Sequence, residues 1–269
     1  MEVENFLIKI GFDKNFIQKF KAINISYIDL LSLKVIFYEN FYELKETLKT
    51  FDDPEFIALI FYINMALDTY DIYKKYKISD QIYFDTMRDI YIWAKDYRDR
   101  KGKWGLEELD WLAQSIRMEI FRLGRLQFEE KELEKNIGIF KVGDKYLSVH
   151  IAKDGPLNIK SCQESFKMAR NFYADEDIKF FFCKSWLVSP RLDLVLGKDS
   201  NIIKFKELFK PLDITFEYPQ AEERIFGEIL KDKSKYPEDT SLRKNYKKLI
   251  EKGIDIGIGS AYIEFKKIA

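Results

Sequence analysis

Two cysteines, Cys162 and Cys183, and a single histidine, His150, are all that 269 residues contain. The cysteines lack the spacing of a secreted disulfide framework, so both thiols are expected to be reduced. With so few soft donors, neither a structural zinc site nor any other metal is expected. An excess of one charge is missing too: 45 Lys and Arg face 45 Asp and Glu. Nucleic-acid binders usually carry a strongly basic balance, so nucleic acid is not an expected partner. Lysines such as Lys244, Lys247, Lys248 and Lys252 read instead as a solvated helix face. The N-terminus, MEVENFLIKIGF, lacks a basic start, so no signal peptide is expected. The most apolar run, FIALIFYINMAL, is short for a bilayer and interrupted by Asn64. A cytoplasmic protein without a membrane partner is the expectation; nothing in the sequence fixes its oligomeric state.

What is present is a large apolar fraction, 46%, with 16% aromatic residues. That suffices for a substantial core in one large domain or two modest ones. Residues 1–118 read as helical. One segment opens on Asp53 and Pro54, where a missing N–H matters little, and its body is apolar nearly all round. The next starts at Ser79, repeats Ile82, Met87, Ile90 and Ala94, and stops in basic residues before Gly102. A third carries Leu109, Leu112, Ile116 and Ile120. The aromatic stripe Phe37, Phe41, Phe56 and Phe61 reads as core.

The pattern changes near residue 120. FRLGRLQFEE, IGIFKVGD and KYLSVHIA are β-rich and separated by turn residues, which predicts three strands, with VGDK as a hairpin signal. A turn and a helix follow in KDGPLNIKSCQESFKMARNFY. IKFFFCKSWLV reads as a strand buried on both faces, SNIIKFKELF as a short helix capped by Ser200 or Asn201, and DITFEYP as a strand. DTSLRKNYKKLIEKG predicts a helix with Leu242, Tyr246 and Leu249 on one face. IDIGIGSAYIEF closes as a strand whose glycines let another backbone or a ligand come close.

The segments FRLGRLQFE, VHIAKDGPL, CQESFKMARNFY, CKSWLVSP, SNIIKF and PEDTSLRKNYKKLIEKGIDIGIGSAYI resemble, in order, a bacterial family of acyltransferase domain-containing proteins. Its members have a helical N-acyltransferase N-terminal domain and a GNAT-like C-terminal domain. In the front half, ISDQIYFDTMRDIYIW and GKWGLEELDWL are similar to the first of these. The resemblance implies an α+β fold, with a helical domain over residues 1–118 and a GNAT-like domain over 119–269 built on a mixed, bent β-sheet flanked by helices. It implies that KYLSVHIA and FFFCKSWLV, fourth and fifth strands of such a sheet, splay apart to admit acyl-CoA or acetyl-CoA. The turn KDGPLNIK and the helix after it would then hold the pyrophosphate. Transfer of the acyl group to an amine of a small molecule or peptide is the implied reaction; a GNAT-shaped binding protein without catalysis is the alternative.

Candidate residues follow, each with a plainer reading beside it. A helix N-terminus suits a pyrophosphate, and Lys153, Gly155, Leu157 and Ser161 lie in or beside the turn. SCQE, however, also reads as a capping box in which Ser161 and Glu164 satisfy the helix end themselves. His150 alternates with Leu147, Val149 and Ile151, and is a candidate general base with Glu129 as a second, or a histidine bonded within the sheet. Ser185 could contact the pantetheine arm. Trp186 could wall the acceptor or pack in the core. Arg122 and Arg125 could bind substrate or pair with acids between the two halves. Cys162, at a helix start, could have a lowered pKa, but has no evident base partner.

Overall fold

The computed structural model describes residues 1–23 and 27–268, which fall into two compact units. The first comprises residues 1–123 and three residues, Ala152–Asp154, contributed by a later pass of the chain. Its helices are α1 (Val3–Ile10), α2 (Lys14–Lys21), α3 (Tyr27–Glu39), α4 (Phe41–Leu48), α5 (Pro54–Lys75), α6 (Asp80–Lys101) and α7 (Leu109–Ile116), and it ends in a short strand, β1 (Ile120–Leu123).

Local chemistry sets these helix ends. Pro54 occupies the first turn of α5; its neighbour Asp53 makes no cap bond and pairs with Lys103 at 2.7 Å. The Ser79 hydroxyl accepts from the Ile82 N–H at 3.3 Å, and α6 ends where Gly102 turns left-handed at φ 76°. By length and composition α5 could cross a membrane. Its Leu59, Phe61, Tyr62 and Ile63 are nevertheless buried inside the unit, where each large apolar side chain contributes roughly 1.5–3 kcal/mol. Its polar groups are bonded there as well: Asn64 donates to the Ile60 carbonyl at 2.8 Å, and Tyr62 to the Leu109 carbonyl at 2.6 Å. Phe37 and Phe61 from the aromatic stripe are fully buried and pack against each other, 5.9 Å between centroids.

The second unit holds β2 (Leu126–Glu132), β3 (Lys145–Ile151), α8 (Ile159–Phe172), β4 (Ile178–Ser185), α9 (Asn201–Lys206), β5 (Lys210–Thr215), α10 (Gln220–Phe226), α11 (Ser241–Ile250) and β6 (Ile258–Glu264). Its strands lie in the order β2-β3-β4-β6-β5. Only β3 and β4 run parallel; the other neighbours are antiparallel, so the sheet is mixed. On one face Phe128 and Phe181 meet Phe166 of α8, at 5.8 and 5.0 Å between centroids. On the other, Tyr146, Phe180 and Tyr262 are covered by Phe140 from the loop between β2 and β3.

Several elements differ from the sequence reading. FRLGRLQFEE is two strands broken at Gly124, whose φ of 74° no ordinary extended residue adopts. IGIFKVGD is no strand: left-handed Gly138 and Gly143 confine it to one bridge, Ile137 with Phe140, so the β2–β3 connection is a long loop. IKFFFCKSWLV stops being a strand at Ser185, where the Ser185 hydroxyl accepts from the Leu187 N–H and starts a 3-10 turn, Trp186–Val188. α10 was not legible. β6 starts only at Ile258, after a left-handed Gly257. Its Gly259 has the close neighbour foreseen for such glycines, since a Cβ there would lie 2.4 Å from the Val188 carbonyl oxygen.

Candidate active site

The ladder between β3 and β4 is incomplete. Its register runs from Lys145↔Ile178 to Ser148↔Phe182 and ends there, three residues short of the end of each strand. Beyond that point β3 continues to pair with β2, up to Leu126↔Ile151. β4 continues with β6, up to Ser185↔Gly259. Each strand therefore follows its outer neighbour, and a wedge opens at their C-terminal ends. The resemblance implied a splay between these two strands, and their mutual pairing stops there.

Alternation along β3 puts Ser148 and His150 on one face of the sheet. Glu129 stands opposite Ser148 across the β2–β3 ladder, so it lies diagonal to His150 on that face. Its Oε2 is 3.2 Å from His150 Nε2, and its Oε1 is 3.0 Å from Lys131 Nζ. Burial acts to raise the Glu129 carboxyl. Hydrogen bonds from His150 and Lys131, with the lysine and imidazole charge, outweigh it and hold the group below its ordinary value. An ionised carboxylate only accepts, so Nε2 carries the proton in the neutral ring and Nδ1 is left with the lone pair. The two residues singled out as candidate bases are thus one hydrogen-bonded pair beside the wedge.

The turn after β3 is built differently from the capping-box reading. α8 begins at Ile159, because Asn158 caps it by accepting from the Ser161 N–H at 3.1 Å. Ser161 lies inside the first turn, and Glu164 pairs loosely with Lys167 at 3.7 Å. An extended Asn two residues after Pro156 is a stronger start signal than the serine, and it wins. Gly155 is left-handed at φ 69°, with open space where a side chain would be. Arg125 grips the turn: Nε donates to the Pro156 carbonyl at 3.0 Å and a terminal nitrogen to the Gly155 carbonyl at 3.1 Å. In a trans peptide the N–H points opposite to the carbonyl, so the half-buried Leu157 directs its N–H away from Arg125. Arg125 is anchored in turn, its own N–H donating to Ser165 Oγ at 2.7 Å.

The remaining candidates go elsewhere. Lys153 and Arg122 belong to the helical unit: Lys153 pairs with Asp96 at 2.5 Å, and the nearly buried Arg122 pairs with Asp154 at 3.0 Å. Trp186 is core, packed with Leu192, Ile203 and Tyr236 among others. Ser185 ends β4 at the same end as the wedge. Burial pushes the Cys162 thiol up to about 11 and Cys183 up to about 12, the opposite of the lowered pKa considered for Cys162. Ser165 and Asn158, which position the turn, were missed; Asn158 had a signal in its spacing from Pro156, and Ser165 had none. Among the described residues no group of three or more His, Cys, Asp or Glu is placed to hold a metal ion.

Comparison with solved structures finds the same fold in an acyltransferase in complex with decanoyl-CoA and teicoplanin. The TM-score is 0.80 at 17% identity, over 98% of this chain and 88% of that one. The acyltransferase in complex with CoA and 10C-teicoplanin matches at 0.80 and 16%, with the same coverage. An acyltransferase complex with decanoyl-CoA matches at 0.77 and 18%, over 97% and 87%. No curated protein matches the chain. Residues 1–118 match the N-acyltransferase N-terminal domain. Residues 120–263, more than half of the sequence, match the GNAT-like C-terminal domain, and the chain belongs to that family.

Proposed function

We propose that this protein is an acyl-CoA-dependent N-acyltransferase acting on an amine of a small molecule or peptide. The observation that carries the reading is the β3–β4 ladder ending at Ser148↔Phe182. It leaves two strand edges without ladder partners on each other, which is where an extended pantetheine arm would pair. The braced turn at the start of α8, with Gly155, Leu157 and Ser161, supports a pyrophosphate position at a helix N-terminus. The fold neighbours were crystallised with acyl-CoA or CoA, one of them also with teicoplanin and another with 10C-teicoplanin.

In this reading the neutral amine attacks the thioester carbonyl, forming the C–N bond. His150 takes the amine proton, while Glu129 holds the ring and stabilises the imidazolium. Backbone N–H groups at the wedge stabilise the oxyanion. The C–S bond then breaks, CoA leaves as the thiol, and the amide is released. No residue need become acylated, consistent with two protonated, buried thiols. The same reading includes no metal, no nucleic-acid or membrane partner, and a cytoplasmic location.

Thermal unfolding with CoA, acetyl-CoA and longer acyl-CoAs tests the cosubstrate, because a ligand of the native state raises the midpoint. Release of free thiol with an amine acceptor tests the reaction. Stabilisation by at least one acyl-CoA with thiol release upholds the proposal. Stabilisation without turnover over a broad amine panel rejects catalysis, and no stabilisation by any CoA species rejects the cosubstrate and favours the GNAT-shaped binding protein.

A further inference from the structure

Glu129 uses both of its oxygens. On the face of β2 and β3 that bears the Glu129–His150 pair, the ladder sets Lys131 opposite Tyr146, Glu129 opposite Ser148 and Gln127 opposite His150. Oε2 of Glu129 meets His150 Nε2, and Oε1 meets Lys131 Nζ. Among the described residues, Lys131 is the one permanent cation within bonding reach of that carboxylate. Lys184, the cation that β4 adds two residues beyond the last β3–β4 pair, is engaged by Glu217 at 2.7 Å.

The side chain of Glu129 is 13% exposed and that of Lys131 45%. A carboxylate mostly out of water is thus neutralised by an ammonium that keeps much of its hydration. Desolvation works against the ionised carboxylate, and one hydrogen bond from a neutral imidazole does not replace a full opposite charge. While Lys131 holds Oε1, Glu129 is an anion with no proton to give, so towards His150 it can only accept. The ring must then present its N–H at Nε2. Without the ammonium, the half-buried anion attracts a proton. Placed on the carboxyl, that proton makes Glu129 a donor towards Nε2; placed on the ring, it makes an imidazolium. In both states the neutral ring with its proton on Nε2 is lost.

We infer that Lys131 is a positioning residue for His150: acting through Glu129, it fixes which ring nitrogen carries the proton and keeps the ring able to accept another. Its part in the reaction rests on the acyltransfer reading above; its hold on the ring does not.

The chain has a single histidine, so histidine-labelled full-length protein gives one pair of ring nitrogen signals. Nitrogen NMR at one mildly alkaline pH compares wild type with Lys131→Met and Lys131→Arg. Wild type should show the neutral ring protonated on Nε2. Lys131→Met should lose most of that form, and Lys131→Arg should restore it. A Lys131→Met spectrum equal to wild type, or a wild-type ring protonated on Nδ1, overturns the inference. In acyl transfer, Lys131→Met should lower kcat by about tenfold, less than removal of the base itself, with KM for acyl-CoA unchanged. An unchanged kcat would overturn its part in the reaction. If wild type turns over no amine, the acyltransfer reading fails, and the ring signals still decide whether Lys131 sets the proton.

Discussion

The two edges of β4 differ. Towards β6 it is zipped over six consecutive pairs, Phe180↔Glu264 to Ser185↔Gly259. Towards β3 the ladder ends at Phe182. The closed side is locked by backbone contact: the turn after β4 sits directly on Gly259, and the Ser189 hydroxyl donates to the Ile256 carbonyl. The open side is held open because β3 is bound to β2 to its last residue. A gap framed by two completed ladders is preorganised, so a cosubstrate entering it need not pay to separate strands.

The most damaging way to break this contrast is to wedge open the closed edge. Gly259→Val sets a Cβ 2.4 Å from the Val188 carbonyl oxygen, so backbone on one side must shift. Stability should fall by about 3 kcal/mol in urea unfolding, the upper end for overpacking. Unchanged stability would mean that this contact is no lock. On the open edge, His150→Ala should leave acyl-CoA affinity intact and lower kcat by about a hundredfold, the lower range for loss of a general base. A parallel loss of CoA affinity would make His150 a structural residue of the sheet.

The same contrast shows what the sequence could reveal. The helix start at Ser79 was legible, and that at Ser200 narrowed to Ser200 or Asn201, because a cap is a local contest between one side chain and the first amides. The buried strand FFFC was legible from its apolar run. Where β3 parts from β4 was not, since Val149 and Cys183, the first residues past the last pair, are as apolar and as buried as Leu147 and Phe181 within it. Only the family resemblance pointed to a splay there. Glu129 and His150 were each visible as titratable groups, but their meeting depends on a β2–β3 register that no local signal fixes across a long loop. Arg125 illustrates the opposite case: its charge suggested a ligand or an acidic partner, and the fold has it brace two carbonyls.

That brace gives a subtler probe of the open side. Ser165 Oγ accepts from the N–H groups of Arg125 and Leu126 and donates to the Ser161 carbonyl. Ser165→Ala strands buried donors and should cost about 2 kcal/mol. By loosening Arg125 it should also raise KM for acyl-CoA more than it lowers kcat. Equal effects on both would detach the brace from cofactor binding.

The smallest expected effect concerns Glu129 and is read as a pH dependence. Its carboxyl lies below the ordinary 4.5 in the folded protein, since His150 and Lys131 together outweigh the opposing effect of burial. A depressed folded pKa means that the native state favours the ionised form. The associated stabilisation is complete above the ordinary glutamate value and disappears as pH falls through the lower folded value. Glu129→Gln removes the titrating group. Wild type should therefore exceed this variant in stability at pH 7, and the margin should narrow in acid below the ordinary value. Urea midpoints of both proteins across that range provide the measurement. A margin that stays constant with pH would show that Glu129 is held by shape alone, and its charge would then have no part in fixing the imidazole beside the open edge.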